Sequence, residues 1–221
     1  MGLRHPAQAV DGPVRVTMAG TRISIFPLTG AILFPGLQLP LHIFEPRYRA
    51  MITDSLARDR RVGMIQPQRA EEGAPLYAMG CLGKIDEVEA LEDGRFNIML
   101  VGEARFRVIR ELDVTTPFRQ IEGELIEEPV EEALAAIERA GFEREARRFA
   151  EAQGYGVDWE SVARLDDVSL INGVSQIAPF DAASKQALLE ARTISERCEL
   201  MVQLMQFYGR RDSDDERATL Q

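Results

Sequence analysis

The stretch from Ile23 to Met51, ISIFPLTGAILFPGLQLPLHIFEPRYRAM, constrains this chain more than any other. Leu37, Leu39, Leu41 and Ile43 alternate with Gln38, Pro40 and His42, the period-two spacing of a strand with one buried face. Pro40 cannot donate to a ladder, so it puts that strand at a sheet edge or a bulge. Ahead of it, Pro35-Gly36 joins a fixed φ to a permissive residue, as a tight turn requires. Behind it, Pro46 suits the first position of a helix, whose N–H has no helical partner in any case. Tyr48, Met51, Ile52, Ser55 and Leu56 then fall at i, i+3, i+4, i+7 and i+8, one face of that helix.

Strand-like segments continue to about Glu127. Val62 to Ile65 is a short apolar strand ahead of Pro67, and Arg69 to Pro75 is a polar loop. Lys84 to Leu91 and Arg95 to Val101 flank Glu92-Asp93-Gly94. An Asp-Gly pair between alternating segments predicts a hairpin in which both central residues take positive φ. Phe96, Ile98 and Leu100 share a face. Phe106, Val108 and Arg110 alternate in a separate segment, and Ile121 to Ile126 forms another. Several short strands joined by turns predict a small barrel or a sheet folded over on itself.

After Glu128-Pro129, Ala, Glu, Arg and Leu dominate. Glu131 to Ala140 and Phe142 to Gln153 read as helical, with Gly141 as a break between them. Asp158 and Asp181 stand as N-caps ahead of helices carrying Trp159 and Val162, and Leu188 and Leu189. Leu170, Val174 and Ile177 share a face before Pro179. Thr193-Ile194-Ser195-Glu196 has the spacing of a capping box. It opens a last helix striped by Ile194, Cys198, Met201, Val202, Met205 and Tyr208, which Gly209 is expected to end. The expected organisation is therefore α+β: a leader over 1–20, a β domain over 21–127, a helical domain over 128–209, and a solvated acidic tail over 210–221.

The 221 residues carry a net charge of −10, which weighs against a general nucleic-acid or anionic-membrane binder. No apolar run reaches the roughly 20 residues of a membrane span, and MGLRHPAQAV lacks the apolar centre of a signal peptide. Cys81 and Cys198 lie far apart and do not call for a disulfide, so a reducing cytoplasm is the expected setting. The chain has two lysines. Lys84 follows Gly83, but Ala78 stands where a nucleotide-binding loop needs its first glycine, and Ile85 where it needs a hydroxyl. His5, His42, Cys81 and Cys198 are scattered, so no metal site is expected. Gly173-Val174-Ser175-Gln176-Ile177 lacks the final glycine of a nucleophile elbow and reads as a helix with Ser175 facing water. Arg58, Arg60 and Arg61, and Arg105, Arg107 and Arg110, form basic clusters with Asp59, Glu103 and Glu111 interspersed. They read as solvated edges, with an RNA-binding surface as the alternative. Glu45 and Arg49 are spaced to pair across one helical turn.

FPL from Phe26, ILFPG from Ile32 and LPLHIFEPRYRAM from Leu39 together resemble the opening of the Lon protease N-terminal, substrate-binding domain. Gly80 to Ile85 and Val101 to Val108 are similar to strand signatures of that family. The resemblance runs from about Ile23 to Gly209 and is looser after Glu127. It implies a PUA-like β-barrel followed by a helical bundle. It also implies a stand-alone, non-catalytic polypeptide-recognition protein, because the ATPase and Ser–Lys protease segments of that family have no counterpart here. No cofactor is implied. The implied partners are unfolded or exposed polypeptide segments, with a protease or chaperone as their destination. An RNA-binding PUA-like module is the alternative. The candidate peptide contacts lie near the densest motif: Phe34, Phe44, Glu45, Arg47 and Tyr48.

Overall fold

The computed structural model describes residues 20–127 and 133–219, with side chains described as far as residue 210. The expected leader, apart from Gly20, and the start of the first expected helix therefore lie outside the described residues. The first part contains β1 (Thr21–Pro27), β2 (Gln38–Ile43), α1 (Pro46–Leu56), β3 (Arg61–Pro67), β4 (Leu76–Ala90), β5 (Phe96–Glu111) and β6 (Gln120–Leu125). The strands form one six-stranded sheet in the order β2-β5-β4-β3-β1-β6, and β6 also pairs with β5. The pairings β5, β4, β3, β1, β6 and back to β5 thus make a closed cycle, with β2 attached outside it. Ile23, Ile25, Ile65, Leu82, Phe106 and Ile121 form one apolar cluster among these strands. Any side chain on Gly80 would collide with the Phe106 ring and the Met64 carbonyl, which explains a glycine there.

β1 and β3 are parallel, and α1 provides the crossover between them. Met51 and Ile52 of α1 are fully buried and join Phe26, Met64, Cys81, Ile85, Ile98 and Leu100 in a second cluster. Pro46 stands in the first turn of α1, and Tyr48, Met51, Ile52 and Ser55 form its buried face, as their spacing predicts. β2 pairs only with β5, so Pro40 sits on an edge strand where its missing N–H interrupts no second ladder.

Two strand expectations need correction. Phe96 to Glu111 is one strand, not two. Gly102 does not end it, because the Pro35-Gly36 turn docks there: Gly36 N–H donates to the Gly102 carbonyl, and Gly102 N–H to the Leu37 carbonyl, both at 2.9 Å. The register shift at Leu82/Gly83 absorbs Glu103 as a bulge. The β4–β5 hairpin is present, but only Gly94 has positive φ, at 78°. Gly94 N–H donates to the Leu91 carbonyl and Leu91 N–H to the Arg95 carbonyl, both at 2.9 Å. This is a three-residue loop closed by a glycine bulge, which needs one left-handed residue where the two-residue turn needs two.

The second part contains α2 (Ala136–Ala152), α3 (Trp159–Val162), α4 (Asp167–Ile177), α5 (Ala182–Glu190) and α6 (Ile194–Thr219). Neither glycine breaks a helix. α2 runs through Gly141 and α6 through Gly209 to Thr219, so the expected tail is largely helical. A mid-helix glycine costs only about 1 kcal/mol relative to alanine, and no proline reinforces either one. Ser175 does not face water: it is wholly buried and donates to the Ile171 carbonyl at 2.7 Å, a back-bond available to a hydroxyl inside a helix. At the start of α6, Thr193 Oγ1 accepts from Glu196 N–H at 3.1 Å, while Glu196 reaches one residue past the expected box to Arg192 N–H at 2.8 Å. The helical core also contains Ile32 and Phe34, from the loop between β1 and β2.

Two buried arginines join the parts. The last carbonyls of α5 have no helical donors. Arg197 of α6 donates to the Leu188 carbonyl at 3.0 Å and the Ala191 carbonyl at 3.0 Å. Arg105 of β5 donates to the Leu189 carbonyl at 2.9 Å and the Ala191 carbonyl at 2.6 Å. Arg197 also donates to Asn172 Oδ1 at 2.7 Å and lies 4.8 Å above the centre of the Phe34 ring. Nearby, Gln66 of β3 donates to the Ala182 carbonyl at 2.9 Å, and Gln186 of α5 donates to the Met79 carbonyl at 3.1 Å. Arg197→Met is expected to destabilise the chain by about 3 kcal/mol, because the buried Leu188 carbonyl and Asn172 Oδ1 lose this donor together. Arg197→Lys should recover little, since one ammonium cannot span these acceptors. Urea unfolding measures both; a loss under about 1 kcal/mol for either would refute the assignment.

Asp158, Asp166 and Asp181 cap α3, α4 and α5. Hydrogen bonds hold all three carboxyl groups below their usual value: chiefly the Ser161 hydroxyl for Asp158, and the Ser169 and Ser184 N–H groups for Asp166 and Asp181. A depressed carboxylate stabilises the fold above its unfolded value, near pH 4, and that contribution fades as pH falls through the folded values. Thermal melts followed by helical circular dichroism should therefore shift down steadily below about pH 4. The triple change of these residues to Asn keeps much of the capping and should flatten that acid limb; an unchanged limb would show that other carboxylates cause it.

Candidate functional site

The five residues expected to contact peptide do not form one surface. Phe34 is wholly buried in the helical core. Phe44 is 58% exposed, and its ring stacks beside His42 with centroids 6.1 Å apart. Glu45 is the N-cap of α1 and pairs with Arg47 at 2.8 Å. It does so, rather than reach Arg49, because its backbone is extended and its side chain lies outside the helical register. Arg47 also pairs with Glu72 and lies 4.7 Å above the Tyr48 ring. Tyr48 is buried edge-on against Phe26, and burial raises its phenol pKa. Glu45, Arg47 and Tyr48 thus lock the corner between strand and helix, and Phe44 is the one apolar side chain of the five that projects from it.

The basic clusters are largely neutralised. Arg58 pairs with Asp54 at 3.0 Å, Arg61 with Glu103 at 2.6 Å, Arg110 with Glu122 at 2.7 Å and Arg107 with Glu124 at 3.3 Å. Arg60 donates to the Ile85 and Asp86 carbonyls, and Arg105 is buried. His42 bonds Asn97 at 2.7 Å. Among the described residues no group of His, Cys, Asp and Glu could hold a metal ion. Both cysteines are buried thiols outside any disulfide, and burial pushes the Cys198 thiol up to about 11, which keeps it protonated at neutral pH. No helix among the described residues is long and apolar enough to cross a membrane.

A larger feature lies among the helices. A groove of about 440 Å³ is lined by residues of α2, α3, α4 and α6. Phe142, Phe149, Leu170 and Met205 are buried at its base. Tyr155, Val157 and Ile177 stand at its mouth, 50%, 36% and 79% exposed. The local sequence explains each wall. Gly154 takes a left-handed φ of 69° after α2 and turns the chain toward α3, whose start Asp158 fixes. Leu170, Val174 and Ile177 do share a face, but it faces the groove; α4 buries Ile171, Asn172 and Ser175 behind it. Arg139 clamps the two walls, donating to Asp167 at 2.5 Å and to the Leu165 carbonyl at 2.9 Å.

Among the described residues the lining contains no Ser, Cys, His or Lys, and its single charged side chain is Glu143, which Arg139 holds at 3.0 Å. Such a site can take apolar groups out of water but offers no nucleophile or acid–base pair. The stripe on α4 is readable from spacing, and so is the alternation of Tyr155, Val157 and Trp159. Nothing in either says that the two stripes face one another across an open space.

This architecture has counterparts among solved structures. The Lon N-terminal domain protein from Xanthomonas campestris superposes with a TM-score of 0.64 at 20% identity, over 82% of this chain and 97% of that one. The N-terminal domain of Mycobacterium avium complex Lon protease gives 0.60 at 20% identity, over 84% and 98%. In sequence, Lon protease 2 of Myxococcus xanthus is 27% identical over 196 residues, 83% of this chain and 23% of the relative. Lon protease 2 of Syntrophobacter fumaroxidans is 26% identical over 181 residues, 76% of this chain and 22% of the relative. The chain spans under a quarter of the length of these two relatives. The family model described as the ATP-dependent protease La (LON) substrate-binding domain matches residues 22–206, and the chain belongs to that family.

Proposed function

We propose that this chain binds exposed apolar segments of polypeptides, in the groove between α2, α3 and α4, without chemistry of its own. The observation that carries this reading is the groove itself: wide, apolar, open and, among the described residues, without Ser, Cys, His or Lys in its lining. Membership of a family described as substrate-binding supports it. We read the closed strand cycle as a PUA-like barrel that serves as scaffold, and the five later helices as the binding bundle. Phe44, with Glu45 and Arg47 beside it and Tyr48 beneath, forms a second and smaller contact surface on the same reading. Buried thiols outside any disulfide suit a reducing cytoplasm. A protease or chaperone would receive what the chain binds. The RNA-binding alternative finds little cationic surface, because the arginines of both clusters are paired with carboxylates, bonded to backbone carbonyls or buried.

Two or three side chains of a bound segment would fill the groove, each contributing about 1.5–3 kcal/mol before the cost of ordering the segment. Affinity should therefore lie between about micromolar and millimolar. Trp159 is the only tryptophan and lines the groove, so its emission reports occupancy. A short peptide with Leu and Phe should shift that emission saturably, with little dependence on salt, while the same peptide with Ser and Gln in their place should not. Ile177→Asp should weaken binding about five- to tenfold with no loss of melting temperature, since Ile177 is 79% exposed. Silence from Trp159 with the apolar peptide would sink the proposal. Tighter binding of single-stranded RNA, falling steeply with salt, would replace it with the alternative.

A further inference from the structure

Arg147 stands beside the groove on α2. Its guanidinium lies 4.5 Å above the centre of the Trp159 ring, and Trp159 lines the groove. Its side chain is 43% exposed, and among the described residues one carboxylate comes within 4 Å: Glu143, at 3.9 Å. That carboxylate already holds Arg139 at 3.0 Å with its other oxygen. Asp158, next to Trp159 in sequence, is committed to capping α3 through the Glu160 and Ser161 N–H groups and the Ser161 hydroxyl. Arg58, Arg61 and Arg110 each have a carboxylate at 3.0 Å or less, whereas Arg147 keeps most of its positive charge available.

We propose that Arg147 makes the groove selective for apolar segments that carry an Asp or Glu side chain immediately beside their apolar residues. This rests on the groove being the polypeptide site. The argument is charge complementarity at a fixed place. Stacking on the indole limits the freedom of the guanidinium, so less entropy is lost when it pairs. The planar fork can rest on the ring and still offer N–H groups along its edge to a carboxylate, which a lysine ammonium does less well. An apolar occupant also excludes water from one side of the pair and strengthens it. A segment with Lys or Arg at the same place would meet a like charge and be disfavoured.

The test uses the whole chain, with Trp159 emission as readout, and three tryptophan-free peptides that share one apolar core and carry Glu, Gln or Lys beside it. The Glu peptide should bind about two- to fivefold more tightly than the Gln peptide at low salt, the range of a partly exposed ion pair, and the Lys peptide more weakly than both. The differences should shrink in high salt. Arg147→Gln should bring the Glu and Gln affinities together, Arg147→Lys should keep part of the difference, and Arg147→Glu should invert the order in favour of the Lys peptide. A merely structural role for Arg147 cannot invert a charge preference. Saturable but equal binding of the Glu and Gln peptides would overturn the selectivity and leave the groove as the site. No saturable response from any peptide would overturn the groove reading and the selectivity with it.

Discussion

Two guanidinium groups meet at the carboxyl end of α5, and the arrangement of the helices against the strands depends on them. A helix end leaves carbonyls without donors and concentrates partial negative charge. Here Leu188 and Leu189 are buried, so water cannot meet the need of their carbonyls. Arg197 supplies donors from the next helix and Arg105 from β5, far away in sequence. Both side chains are nearly inaccessible, at 2% and 3% exposure. A buried cation is costly unless its donors are used, so each guanidinium holds the carbonyls as firmly as the carbonyls hold it. Phe34 beneath Arg197 completes the joint and draws the loop between β1 and β2 into the helical core.

One wall of the groove is tied to this joint. Arg197 also binds Asn172, on the buried side of α4, and so sets the rotation that brings Leu170, Val174 and Ile177 to the groove, with Ile177 at its mouth. The opposite wall is set by α2, which packs along α6 and is tied to α4 through Arg139 and Asp167. Both walls are thus fixed by polar contacts outside the groove, which leaves its lining apolar. A surface that accepts varied segments gains from this division, because the groups that hold the walls do not compete with the occupant.

The strands contribute a frame more than a site. Arg61, Arg107 and Arg110 have carboxylates beside them, the outlying strand carries a proline, and the polar groups of the strand-to-helix corner lock that corner. Glu45 pairs with Arg47, which lies over the Tyr48 ring, so these groups hold the corner in place. Only Phe44 projects from the motif, and the groove lies in the helical part instead.

Local physics was legible in the sequence. The alternation of Leu37 to Ile43, the placement of Pro40 and Pro46, the face of α1, the caps at Asp158 and Asp181 and the stripe of α6 all depend on neighbours within a few residues. The family was legible from a dense motif in the same region. Turn type, strand length and helix length were less so. Gly94, Gly102, Gly141 and Gly209 look alike in sequence, but they close a turn, continue a bulged strand and pass through two helices, according to what packs beside each. Ser175 lies inside where water was expected, because a helix has more than one face that can turn inward, and Arg197 and Asn172 select the one beside Ser175. The site required tertiary structure altogether. A groove is the space between surfaces brought together by long-range contacts, and no local pattern records the distance between them.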